Sequence, residues 1–148
     1  MEWSSLNRFT SLEKLELTFC NIGEGAILLD DIGCLSSLKH LDLFGNDFVS
    51  LPSSIRFLSK LEFLGLRWCK RLERLPDLPP NIEIVQLDNC ISLKRLPDPS
   101  RPGPNLYDFW FTCLNCFKLV EEEDWINAMF AMIRTAAIEE YSFLFYNK

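Results

Sequence analysis

Excess positive charge, a long apolar run, a second histidine and any glycosylation sequon are all missing from this 148-residue chain. Its formal net charge is −6, from 15 Lys and Arg against 21 Asp and Glu. A phosphate backbone demands a basic stripe, so nucleic acid is excluded as a default partner, and nothing resembles an anchor to an anionic membrane. Charge interrupts every apolar stretch within a few residues, which excludes a transmembrane helix. Met1-Glu2-Trp3-Ser4 has neither the basic nor the apolar region of a secretion signal, and no Asn-x-Ser/Thr occurs anywhere. The expectation is a cytoplasmic or nucleo-cytoplasmic protein.

Catalytic constellations are missing too. There is no Gly-x-x-x-x-Gly-Lys phosphate loop, no Gly-x-Ser-x-Gly elbow and no His-Glu-x-x-His. His40 is the one histidine, and it has no sequence context of a general base. The chain is therefore expected to be no enzyme and to need no cofactor or metal.

What is present is a pattern written four times: Leu12-x-x-Leu15-x-Leu17-x-x-Cys20, Leu38-x-x-Leu41-x-Leu43-x-x-Asn46, Leu61-x-x-Leu64-x-Leu66-x-x-Cys69 and Ile82-x-x-Val85-x-Leu87-x-x-Cys90. The copies start at 12, 38, 61 and 82, so the spacings are 26, 23 and 21 residues, within the range of leucine-rich repeats. Each x-Leu-x-Leu-x is a short strand whose alternate residues point into a core shared with the next coil, because one repeat alone cannot bury them. Register extends further: Ile32-x-x-Leu35-x-x-Leu38 recurs as Ile55-x-x-Leu58-x-x-Leu61, and Cys69-x-x-Leu72-x-x-Leu75-Pro76 as Cys90-x-x-Leu93-x-x-Leu96-Pro97.

The Asn or Cys after each strand is expected to bond backbone groups that the bend would leave unpaired. That accounts for Cys20, Cys69 and Cys90 as reduced structural thiols, with Cys34 inside the Ile32–Leu38 coil. Cys113-x-x-Cys116 alone has metal-ligand or redox spacing, but zinc needs a second pair or histidines. Cys116-Phe117-Lys118-Leu119 also echoes Cys90-Ile91-Ser92-Leu93, a structural reading.

The chain divides into an array over 1–97, a proline-rich loop with a divergent last coil over 98–119, and a remainder over 120–148. Prolines at 52, 76, 79, 80 and 97 punctuate the convex connections, where no strand hydrogen bond is needed. The last coil fits two frames: Leu106, Phe109, Phe111 and Leu114, or Phe111, Cys113 and Cys116. The second preserves the Cys-x-x-Leu ending. Residues 120–140 read as a helix, with Glu121–Asp124 at the positive end of its dipole and Trp125, Met129, Met132, Ile133 and Ala136 forming a stripe that caps the solenoid. Tyr141–Tyr146 has strand composition and ends without a visible partner. The expected fold is therefore α/β: a leucine-rich repeat solenoid with short parallel strands on its concave face and a C-terminal capping helix.

The x positions of the strands face outward in three rows: Lys14, His40, Phe63, Ile84; Glu16, Asp42, Gly65, Gln86; and Thr18, Phe44, Arg67, Asp88. Phe44, Phe63 and Ile84 are apolar where water is expected, and Gly65 leaves a notch among them. Asp42, Phe44, Phe63, Arg67, Ile84 and Asp88 are the candidate partner-binding residues. The face either receives a partner or packs on a neighbouring domain of its own parent chain.

The stretch 34–52, together with Cys69-Lys70-Arg71-Leu72, Leu75-Pro76-Asp77-Leu78-Pro79 and Asn115-Cys116-Phe117-Lys118-Leu119, resembles the C-terminal repeats of plant intracellular immune receptors with an N-terminal TIR domain, the TIR-NBS-LRR class. The resemblance covers nearly the whole chain. It implies a non-catalytic protein-interaction module that contributes to recognition of a pathogen effector and to restraint of the receptor's nucleotide-binding module. NAD cleavage and ADP/ATP binding belong to other domains of that class. It also implies that a post-repeat domain begins near the end of the chain, making this a truncated product or a fragment. The alternative reading is a purely structural repeat cap with no ligand of its own.

Overall fold

The computed structural model describes residues 6–23, 31–97 and 109–121. Five three-residue strands form one parallel sheet in chain order: β1 (Lys14–Glu16), β2 (His40–Asp42), β3 (Phe63–Gly65), β4 (Ile84–Gln86) and β5 (Trp110–Thr112). Leu15, Leu41, Leu64, Val85 and Phe111 lie side by side across it. Phe111 thus falls level with Val85, and Cys116 takes the place of Cys90. The last coil follows the second of its two sequence frames.

The sheet is stitched beyond the strands themselves. Leu17, Leu43, Leu66 and Leu87 each donate their N–H, at 2.8 Å, to the carbonyl of Asp42, Gly65, Gln86 and Thr112 in the next coil. Leu41, Leu43, Leu64, Leu66, Val85 and Leu87 are fully buried between coils, while Leu12, Leu15 and Leu17 of the first coil are partly covered. Connections on the opposite side carry 3-10 turns at Ile32–Cys34 and Ser53–Phe57. Apolar residues at every third position suit a helix of three residues per turn, so Ile55, Leu58 and Leu61 all face inward and are buried. Pro52, at φ −66°, opens the second of these turns, where its ring is preorganised and no N–H is missed.

The turn after each strand buries carbonyls that need donors. Asn46 is fully buried; its amide donates to Leu17 O (2.7 Å) and Leu43 O (2.8 Å), and its Oδ1 accepts from Ile22 N (3.0 Å). Thiols supply the same bond in later coils: Cys69 to Leu43 O (3.3 Å), Cys90 to Leu66 O (3.0 Å) and Cys116 to Leu87 O (3.1 Å). Cys20 departs from this expectation. It is exposed and reaches only Thr18 O, at 3.6 Å, because no described coil precedes it to offer a carbonyl. All six cysteines are unpaired, and no group of His, Cys, Asp and Glu among the described residues is placed to hold a metal ion.

Burial pushes the Cys69 thiol up to about 11 and raises Cys90 further. Cys113 is raised by its hydrogen bond with Cys116 and then by burial. These thiols stay protonated, as donors must.

The short helix α1 (Phe117–Glu121) closes the described part, with Leu119 buried. The expected capping helix over 120–140 lies outside the described residues except at 120–121, as do the proline-rich loop and the terminal strand-like segment. No helix among the described residues is long and apolar enough to cross a membrane.

Three outcomes follow from this packing. Leu64→Ala or Leu41→Ala should cost roughly 2–5 kcal/mol through lost transfer energy and the residual cavity, while His40→Ala costs much less; urea unfolding midpoints measure the difference. Thiol labelling of the folded chain at pH 8 should modify exposed Cys20 and Cys34 quickly, with Cys69, Cys90, Cys113 and Cys116 reacting only on denaturation. In the fold the Cys69 thiol holds its proton more tightly than its ordinary value of 9.0. Its contribution to stability is therefore complete below pH 9 and lost as pH rises toward 11, which unfolding midpoints across that window will record.

Candidate functional site

The outward rows are where sequence variation is free of core packing, and the structure brings the six candidates onto one face. Register sets His40, Phe63, Ile84 and Trp110 side by side on β2 to β5. His40 and Phe63 stack with ring centroids 4.2 Å apart and planes 5° from parallel. Phe63 is consequently half-buried rather than fully exposed, and Ile84 and Phe44 are half-buried as well. His40 Nε2 has no hydrogen-bond partner and sits 3.7 Å from Glu16 Oε1. Glu16 itself pairs with Lys14 at 2.8 Å, which holds its carboxyl below the usual range.

The notch expected at Gly65 is closed. A Cβ there would lie 2.6 Å from Asp42 Oδ1 and 3.0 Å from the Phe63 ring. The glycine instead lets the Asp42 carboxylate close in, where Oδ1 also accepts the Phe44 N–H at 3.0 Å. Asp88 is similarly committed: Oδ1 accepts from Leu114 N (2.8 Å) and Oδ2 from the Thr112 hydroxyl (3.0 Å). These two acids brace the turns as well as colouring the face. Phe44 carries Phe19 edge-on at 5.0 Å and Arg67 over its ring at 5.4 Å, so Phe44 and Arg67 form one unit.

Three aromatic residues of the surface escape a reading of the leucine pattern. Trp110, 61% exposed, extends the first outward row, but the two frames of the last coil hid it. Phe19 and Trp68 are 69% and 44% exposed and occupy the residue after the third row. There the chain turns with positive φ in all five coils: Phe19 51°, Gly45 70°, Trp68 62°, Asn89 64° and Asn115 60°. Gly and Asn adopt this backbone at little expense, whereas a bulky residue pays about 1–2 kcal/mol. Gly45 is further required because the Phe19 ring lies where its Cβ would be. At the N-terminal ends of β2 to β4 a cleft of about 410 Å³ runs past Lys39, Lys60, Glu62 and Glu83. Its mixed charges favour no single ligand sign.

Comparison with known proteins agrees with this geometry. Residues 37–58 match the Leucine Rich Repeat family. TMV resistance protein N of Nicotiana glutinosa is 49% identical over 84 residues, covering 57% of this chain and 7% of that protein. Disease resistance-like protein DSC1 of Arabidopsis thaliana is 37% identical over 114 residues, 75% of this chain and 9% of that protein. Disease resistance protein RPS4 of Arabidopsis thaliana is 34% identical over 121 residues, 74% of this chain and 10% of that protein. The chain thus spans a tenth or less of the length of these relatives. No solved structure matches it. A parallel sheet built from the leucine pattern, its buried Asn and Cys bonds and these identities together make the chain a leucine-rich repeat region homologous, over part of its length, to plant TIR-NBS-LRR disease resistance proteins.

Proposed function

We propose that the array is a non-catalytic protein-interaction module of a plant intracellular immune receptor, acting in the cytoplasm. Its concave face meets either a pathogen effector or the nucleotide-binding module of the same receptor. The observation that carries this reading is the Phe44–Arg67 unit, an aromatic ring and a guanidinium held together at 5.4 Å on a sheet face where polar residues are the default. Aromatic and Arg side chains that become desolvated dominate interface energy. Phe63 and Ile84 extend the apolar surface beside the unit, and Asp42 and Asp88 set the sign of charge around it.

A purely structural cap is the competing reading, and the His40–Phe63 stack favours it locally, because it covers part of Phe63 without any partner. In a full-length receptor carrying this region, Phe44→Ala combined with Arg67→Glu should abolish the effector-triggered cell-death response or release it without effector, depending on which partner the face meets. An unchanged response at normal protein level would put the structural reading ahead.

A further inference from the structure

We infer that the turn ridge around Trp68 is a docking site for an acidic protein segment that also carries apolar side chains. The inference rests on the reading of the array as a protein-interaction module, and it names a second surface and the chemistry of what binds there. At this position of the repeat the backbone is left-handed in every coil. Gly45, Asn89 and Asn115 suit it, yet Phe19 and Trp68 stand there with 69% and 44% of their surface in solvent. The fold covers only part of the Trp68 ring and leaves 44% of it in solvent at a turn that Gly or Asn fills in other coils. A large aromatic face left open beside exposed cations is suited to contact from outside the fold.

Charge identifies the sign of the partner. Arg67, Lys70 and Arg71 flank Trp68, all are exposed, and no carboxylate lies between 67 and 72; of the acids on the neighbouring coils, Asp88 is taken up by Thr112 and Leu114 N and Asp42 by Phe44 N, leaving Asp47. The ion pairs among the described residues take Lys14, Lys39, His40 and Lys94, and none takes these three cations. Lys70 Nζ lies 5.1 Å from the Trp68 ring centre and the Arg67 guanidinium 5.4 Å from that of Phe44. Each cation is thus held over an aromatic face, so a carboxylate that pairs with it brings its neighbouring apolar groups onto the ring. Phe19 and Trp68 stand two coils apart, about 10 Å at the usual strand spacing, within the span of a short peptide. The same cation-and-ring chemistry could meet single-stranded nucleic acid, but the acidic whole disfavours a polyphosphate.

The test uses the full 148-residue chain and three labelled probes: a peptide of about a dozen residues of Glu, Asp, Leu and Trp, its Lys/Arg counterpart, and an oligouridine strand. Fluorescence anisotropy should give about tenfold tighter binding of the acidic peptide than of either other probe. Lys70→Glu with Arg71→Glu should weaken it about tenfold. Trp68→Asn should weaken it similarly while the chain keeps one cooperative thermal transition, so a folding defect is not mistaken for lost binding. Phe63→Ala on the concave face should leave the affinity within about twofold. Equal or tighter binding of the basic peptide overturns the proposal, as does tighter binding of oligouridine or unchanged binding of the acidic peptide by Trp68→Asn. Loss of binding in Phe63→Ala but not in Trp68→Asn would overturn the ridge and leave the interaction-module reading standing. Failure of the acidic peptide to bind, with the Phe44/Arg67 receptor variant still altering the response, would do the same.

Discussion

Everything in this array depends on giving a donor to each carbonyl that the chain buries as it leaves a strand. Leu17, Leu43, Leu66 and Leu87 must be inside because their side chains form the core, and their carbonyls go inside with them. An unpaired buried carbonyl costs about 1–3 kcal/mol; Leu66 O and Leu87 O also accept the Cys69 and Cys90 N–H, whereas Leu17 O takes its donor from Asn46. Asn46 solves this with two donors and one acceptor, all used. The thiols at Cys69, Cys90 and Cys116 add one bond each, aimed back at the preceding coil, to carbonyls that the Asn46 amide or the Cys69 and Cys90 N–H also reach. Burial that keeps Cys69 and Cys90 protonated is what keeps them donors, so packing and hydrogen bonding reinforce one another.

Much of this was legible in the residues. The spacing of Leu41, Leu43 and Asn46, repeated with Leu64, Leu66 and Cys69, determines strand, core and turn together, since a parallel coil has no other way to bury them. Cys20 shows the limit of the pattern: it shares the motif, but the motif describes what one coil asks of its neighbour, and for Cys20 no described neighbour answers. The last coil was harder, because Phe109, Phe111 and Leu114 give apolar residues in two frames, and only pairing with Val85 selects Phe111.

The face was less legible than the core, for a physical reason. Alternation tells which residues point outward, but not what they then touch. Gly65 reads as a gap until the Asp42 carboxylate is seen to fill it, and Phe63 reads as exposed until His40 is stacked on it. Phe19 and Trp68 carry no signal in the leucine spacing at all. Their importance lies in a backbone angle, and that angle becomes visible only when five equivalent turns are compared.

The one-sided direction of the thiol bonds bears on how such a chain can change over generations. Cys69 and Cys90 each donate to a leucine carbonyl of the coil before, while Leu66 and Leu87 of their own coils offer carbonyls to the thiol of the coil after, so neighbouring coils are joined by interchangeable couplings. Loss or duplication of one whole coil by unequal exchange brings an equivalent thiol opposite an equivalent carbonyl and rejoins the core. Loss of part of a coil breaks the register instead. The outward residues travel with their coil as passengers, so a new arrangement of aromatic and charged side chains can arise in one genetic event without a new fold having to be found.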